Sequence, residues 1–117
     1  MIDDSTVEAF NARLTVDLNN YKKFTPAQRD QVKRYGSDAE ALLKNRELAL
    51  FVHHFKFDLA DSLITITAHT QDDNARRVAV ANQLAGMDAF IASLQRAVVM
   101  KNRVIEWERS QMSAPTQ

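Results

Sequence analysis

Turn-forming residues are scarce throughout this chain. Its 117 residues include only two Gly and two Pro, where average usage would give about eight and six. A β-sandwich or β-barrel reverses direction roughly every ten residues and needs such residues at its turns. The scarcity therefore excludes a many-turned β protein and favours a few long helices. The length suits a single helical domain over residues 1–117.

The composition excludes several classes of function. Lys plus Arg and Asp plus Glu both number 15, so the basic excess typical of nucleic-acid or anionic membrane binding is missing. The chain has no Cys, which excludes disulfides, a thiol nucleophile and a thiolate zinc site. No apolar run approaches the ~18 residues of a membrane span, and the acidic start Met1-Ile2-Asp3-Asp4 is unlike a signal peptide. We expect a cytoplasmic protein without a membrane segment.

Four helix-start signals divide the chain. Ser5-Thr6-Val7-Glu8, Thr25-Pro26-Ala27-Gln28 and Ser37-Asp38-Ala39-Glu40 have the pattern of capping boxes, and Gly36 suits the left-handed residue that closes a helix. A weaker cluster of cap residues, 70–74, follows the β-branched run 64–67 and indicates a turn. The predicted helices cover about 6–23, 26–35, 38–69 and 73–109, followed by a flexible tail, 110–117.

The fourth predicted helix carries apolar residues in a strict alternation of four and three. Such a pattern, sustained for more than three heptads, is typical of a helix that packs along a partner helix. We call the fourth predicted helix, about 73–109, α4 and this set the α4 seam, in which Lys101 is the one polar member: Val80, Leu84, Met87, Ile91, Leu94, Val98, Lys101 and Ile105.

The third predicted helix is apolar around most of its circumference. Its apolar side chains sweep some 240° at about 100° per residue. One side carries Leu42, Leu43, Leu50, Phe57, Ala60 and Ile64, and the other carries Leu48, Val52, Phe55, Leu59, Leu63 and Ile66. We therefore expect this helix to be the central one, with neighbours on both flanks.

These patterns predict an all-α fold, an elongated helical bundle built on a long antiparallel helical hairpin with two shorter N-terminal helices. The hairpin would be about 50 Å long, against about 35 Å for a compact chain of this size. The two N-terminal helices, end to end, would span about 40 Å. Any apolar hairpin surface that they leave uncovered is expected to bind another chain, which favours self-association or a protein partner.

The residues that might carry chemistry are better explained by structure. Adjacent His53 and His54 diverge by about 100° on a helix and cannot hold one ion together, and no Glu precedes a His by three residues as di-metal bundles require. His53 is expected at the edge of the core with a hydrogen-bonded partner. The Asp58/Asp61 pair is explained by a solvated face and the pair at 72–73 by helix capping. We predict no catalytic site, no metal and no cofactor.

Two sets of residues are candidates for binding. The candidate protein interface comprises Leu84, Met87, Ile91, Leu94, Val98, Lys101, Ile105 and Trp107. Lys101 either extends to solvent at the end of the bundle or sets the register and the choice of partner. Trp107 is either an interface anchor or packs near Ala39 and Leu42. Candidate phosphate contacts are Lys22, Lys23, Arg29, Lys33 and Arg34, although a solvated basic face is favoured over nucleic-acid binding.

One segment supports a resemblance. Gly36-Ser37-Asp38-Ala39-Glu40-Ala41-Leu42-Leu43-Lys44-Asn45, followed by a long helix, a Thr70 to Arg76 turn and a second long helix, resembles small phage-encoded helical proteins that open a hairpin with Gly-x-x-Ala-Glu-x-Leu-Leu-x-Asn. The match covers about residues 36–97. This chain departs from the pattern by lacking a Pro after Asn45 and by carrying two further helices. The resemblance implies a phage origin, in the host cytoplasm or the virion, and a structural or assembly role.

Three functional hypotheses follow. The first is a non-enzymatic interaction protein, a phage structural or assembly component that packs its hairpin against copies of itself or another component. The second is a nucleic-acid-associated accessory factor that uses the basic faces of the first two helices. The third is a small inhibitor of a host enzyme or defence complex.

Overall fold

The chain folds into helices, as the scarcity of turn residues predicts. A computed structural model describes residues 3–14 and 16–113, and no strand occurs within these ranges. The elements are α1 (Asp4–Asn11), a 3₁₀ helix (Leu18–Lys23), α2 (Pro26–Leu43), α3 (Arg46–Thr65) and α4 (Gln71–Ser113). The all-α prediction is confirmed.

Helix α4 is the longest of the described helices, and α2, α3 and the 3₁₀ helix pack on it. Arg29 near the start of α2 pairs with Glu108 near the end of α4 (Nε to Oε2, 3.2 Å), whereas Lys56 in α3 pairs with Asp88, nearer the start of α4 (Nζ to Oδ1, 2.9 Å). The end of α4 therefore lies beside the start of α2, and a residue nearer the start of α4 lies beside α3. Helices α2 and α3 thus follow each other in line and run antiparallel to α4. The molecule measures 72 × 32 × 27 Å. The predicted elongated hairpin is confirmed.

The break between the two consecutive helices that pack on α4 lies at a different place from the prediction. We expected a helix to end at Gly36 and another to begin at residue 38, but α2 runs unbroken from Pro26 to Leu43. Gly36 is buried, and a Cβ built on it would overlap the Cβ of Lys101 and lie 2.7 Å from the carbonyl oxygen of Ala97. Gly36 therefore permits close approach of α2 to α4 and does not adopt a left-handed conformation. The Ser37 capping-box prediction is wrong.

The helix break lies instead at Lys44 and Asn45. The side chain of Asn45 accepts a hydrogen bond from the backbone N–H of Leu48 (2.8 Å), which makes it the N-cap of α3. Helix α3 then ends at Thr65, four residues earlier than predicted. A β-branched run at this point disfavours continuation of the helix.

The predicted first helix, 6–23, is two separate elements. Helix α1 begins one residue after Asp3, whose side chain accepts from the N–H of Thr6 (2.8 Å), so the Ser5 capping-box prediction is also wrong. A second cap, Asp17, accepts from the N–H of Asn19 (3.0 Å) and starts the 3₁₀ helix. Asp and Asn side chains of this kind compete with continuous helix by bonding to the local backbone.

The two remaining starts are confirmed. Thr25 accepts from the N–H of Gln28 (3.2 Å) while the Gln28 side chain accepts from the N–H of Thr25 (2.9 Å), a complete capping box. The Thr70 hydroxyl accepts from the N–H of Asp73 (3.1 Å) at the start of α4. Helix α4 continues to Ser113, through half of the predicted flexible tail; residues 114–117 lie outside the described residues.

The buried core lies mainly between α2 and the C-terminal half of α4. One cluster contains Phe24, Val32, Met100 and Val104, with Leu14, Val16, Leu18 and Tyr21 packed against it; a second contains Ala39, Leu94 and Ala97. Helix α3 has no buried residue. The prediction that this apolar segment would be the central helix is therefore wrong, because α4 covers only one of its flanks and is itself the helix that the others contact.

Candidate protein-interaction surface

The α4 seam packs against α2 and α3 of the same chain. Leu94 is 7% exposed, and Val80, Leu84, Met87, Ile91, Val98, Lys101 and Ile105 are half-buried along the side of α4 that faces α2 and α3. The heptad pattern therefore identified a helix-packing surface correctly. Because α2 and α3 already pack on it, a partner would need a different surface.

Lys101, the polar residue of the seam, is held within the chain. Its side chain is 12% exposed and pairs with Glu40 of α2, which also pairs with Lys44 (3.0 Å). Hydrogen bonds from Lys101 and then Lys44 lower the pKa of Glu40. The contact of Lys101 with Gly36 and Glu40 fixes where α2 crosses α4, which agrees with the register-setting alternative for this residue.

Trp107 lies at the opposite end of α2 from the predicted position. The guanidinium carbon of Arg29 sits 5.2 Å from the centre of the Trp107 ring. Tyr21 and Lys22 line the same shallow cavity as Trp107. The alternative that placed Trp107 near Ala39 and Leu42 is wrong, because the antiparallel register brings the end of α4 to the start of α2.

Some of the predicted phosphate-binding residues form ion pairs with another helix of the chain. Glu108 accepts from Arg29 and from Lys33 (Nζ to Oε1, 2.8 Å). Hydrogen bonding to Lys33 lowers the pKa of Glu108, and Glu108 in turn raises the pKa of Lys33. The other three candidates, Lys22, Lys23 and Arg34, have exposed side chains. Two of the five cations therefore stabilise the packing of α2 on α4.

An unpartnered apolar face lies along α3. Leu50, Phe57 and Ile64 have side chains 43%, 64% and 75% exposed, and His53 and Ala60 are also exposed. These five residues recur every three or four positions, so they form one stripe, which we call the outer seam of α3. The opposite side of α3 contacts α4 through residues that include Val52 and Leu59, both half-buried.

The outer seam was visible in the sequence as one side of the wide apolar arc, but not as a separate surface. The sequence did not show which side of α3 would pack on α4. Phe51, 74% exposed, lies about 120° from Phe57 around the helix and is outside the seam.

His53 lies on this exposed seam, at the border with the groove between α3 and α4. Its ring stacks on that of Phe57, with ring centroids 6.3 Å apart and planes 27° apart. The predicted position at the edge of the core is confirmed in part: His53 is exposed, but it also lines a cavity between α3 and α4 with Val52 and Ile91. Within residues 3–14 and 16–113, no group of three His, Asp or Glu side chains is placed to hold a metal ion.

Comparisons with known proteins give no match: no family model, no curated protein sequence and no solved structure is similar to this chain. Among the described helices, none is both long enough and apolar enough to cross a membrane.

Proposed function

We propose that this protein is a non-enzymatic interaction protein that works by packing the outer seam of α3 against another polypeptide. The observation that carries the proposal is the exposure of that seam. Phe57 and Ile64 alone place two large apolar side chains, 64% and 75% exposed, on one stripe of a rigid helix. Contiguous exposed apolar surface of this kind is typical of protein-interaction sites.

In its finer form the proposal assigns the protein to phage structure or assembly. This assignment rests on the resemblance of residues 36–97 to small phage helical proteins, and on the rod shape, whose 72 Å length suits a component that bridges others. The break at Asn45 keeps α2 and α3 as separate helices along one rod. The α2 part is thereby anchored on α4 while the α3 part presents its seam.

A nucleic-acid role receives less support from the geometry. Arg29 and Lys33 both bind Glu108, so recruiting them to phosphates would cost the contacts that hold α2 on α4. Salt-dependent binding to DNA or RNA at low ionic strength would revive that role.

Capture from a phage-producing host tests the proposal. Tagged wild-type protein, Phe57→Asp and the matched control Phe51→Asp are purified from the same lysate, and purified particles are examined for the untagged chain. We expect wild type and Phe51→Asp to retain the same defined component, either a second copy of this chain or a particle protein, and Phe57→Asp to lose it. Retention of a host enzyme would indicate the inhibitor role. Identical binding by all three proteins would contradict the proposal.

A further inference from the structure

We propose that the outer seam of α3 binds the outer seam of a second copy, antiparallel, so that the two α3 helices pack together between the two α4 helices. This inference rests on the proposed function and names the partner. It is argued from the surface area, from the residues of the seam and from the shape of the rod.

The chain exposes more surface than an average folded monomer of its mass. Its accessible surface is 9129 Å², whereas a folded monomer of 13.3 kDa exposes about 6,450 Å². The excess is roughly 2,700 Å². A stable dimer needs only about 800 Å² from each partner, which is well within that excess.

Helix α3 carries more of the exposed large apolar residues than any other described helix, and it lies where this chain supplies no third layer. Leu14, Leu18 and Tyr21 of the N-terminal segment pack on the core cluster of Val32 and Met100, at the α2 end of the rod. The α3 end consists of α3 and α4 alone. A second copy would supply the missing layer there.

The seam is complementary to itself in size. Its large residues Leu50, Phe57 and Ile64 alternate with the smaller His53 and Ala60. In an antiparallel pair about a twofold axis beside Phe57 and Ala60, the Phe57 ring of each copy would lie against Ala60 of the other. Alternation of large and small residues across a contact allows the two helices to interdigitate.

The polar residues beside the seam are complementary as well. His54 and Asp61 occupy equivalent positions along its wet edge, two turns apart, and both are exposed. The antiparallel arrangement brings His54 of each copy near Asp61 of the other, so an imidazole faces a carboxylate and no like charges meet.

The rod shape also favours the antiparallel arrangement. The α2 end is thicker because Leu14, Val16 and the 3₁₀ helix pack on it. Antiparallel pairing that overlaps only the α3 halves places these thick ends at opposite extremes, where they do not collide. Two rods of 72 Å that overlap along a 20-residue helix of about 30 Å would give a dimer about 110 Å long.

Sedimentation of the full chain over micromolar concentrations, with small-angle X-ray scattering of the same samples, tests the inference. We expect the wild type to have twice the mass of the 13.3 kDa chain and a maximum dimension of about 110 Å. Phe57→Asp should weaken dimerisation on the order of 100-fold or more, because each dimer loses two central aromatic side chains. Phe51→Asp, the same change on the same helix outside the seam, should leave it unchanged.

Each other outcome overturns the inference. A monomeric wild type rules out the second copy; the proposed function would then stand or fall by whether Phe57→Asp loses a different protein in the capture experiment. A dimer that survives Phe57→Asp, dissociates with Phe51→Asp, or measures about 72 Å in length has a different interface. Circular dichroism confirms that both variants remain helical, as expected for side chains 64% and 74% exposed.

Discussion

The two halves of the rod use apolar residues in opposite ways. Helix α2 is the more polar helix, yet it buries Val32, Gly36 and Ala39 against α4; helix α3 is the more apolar, yet none of its residues is fully buried. The difference comes from the close approach at Gly36 and from the third layer that Leu14, Val16, Leu18 and Tyr21 add at the α2 end. Burial within one chain thus follows the available neighbours, and the proposed partner would supply to α3 the neighbour that the chain itself does not.

The largest expected difference between the halves concerns two methionines of α4. Met100 is 5% exposed in the α2 half, whereas Met87 is only half-buried against α3. Met100→Ala should lower the free energy of unfolding by about 3 kcal/mol, since it leaves a cavity in the main cluster. Met87→Ala should cost about 1 kcal/mol, because less surface is buried there. Urea denaturation measures both, and equal losses would contradict the contrast between the halves.

The two glycines give a smaller effect of opposite sign. Gly36→Ala should destabilise the fold by about 2 kcal/mol, since the added Cβ meets the backbone of Ala97 and the stem of Lys101. Gly86 lies in the other half of α4, and a Cβ there would meet nothing within 4 Å. Gly86→Ala should therefore stabilise the helix by about 0.5–1 kcal/mol. Thermal unfolding monitored by circular dichroism distinguishes the two signs, and destabilisation by both changes would show that the α3 half is packed as closely as the α2 half.

Acid should weaken the α2 half through its carboxylates. The pKa of Glu108 is lowered below the usual 4.5, chiefly by Lys33, so its pairing contributes stability that is present above pH 4.5 and is lost as the pH falls through the lower folded value. Glu108→Gln should remove up to about 1 kcal/mol of stability at pH 7. It should also flatten the decline of stability below pH 4.5. An unchanged pH profile in urea titrations would show that this ion pair does not hold α2 on α4.

The sequence patterns predicted the features that depend on local chemistry or on one helix face. The cap at Thr25, the turn before Thr70 and the whole α4 seam follow from side chains near each other along one helix. The patterns failed where contacts between residues far apart in the sequence determine where a helix ends or how closely two helices pack. Gly36 resembles a helix terminator, but its lack of a Cβ is used for contact with Lys101 of α4. The break at Asn45 rests on one capping side chain.

The candidate site was only half predictable for the same reason. The apolar arc of the third predicted helix indicated two apolar faces, and both exist in α3, one packed on α4 and one exposed. Which of them α4 would cover depends on the crossing of α2 and α4 at Gly36, a contact between residues some 60 positions apart in the sequence. The outer seam could therefore be separated from the inner face only in the folded chain.

Hydrogen exchange at low and high protein concentration tests the central claim most directly. We predict that the amides of α3, residues 46–65, become more protected as concentration rises, while those of α2, residues 26–43, keep the same protection because their neighbours belong to the same chain. In Phe57→Asp the protection of α3 should stay at its low-concentration value. Protection of α3 that is independent of concentration in the wild type, and already equal to that of α2, would contradict the account.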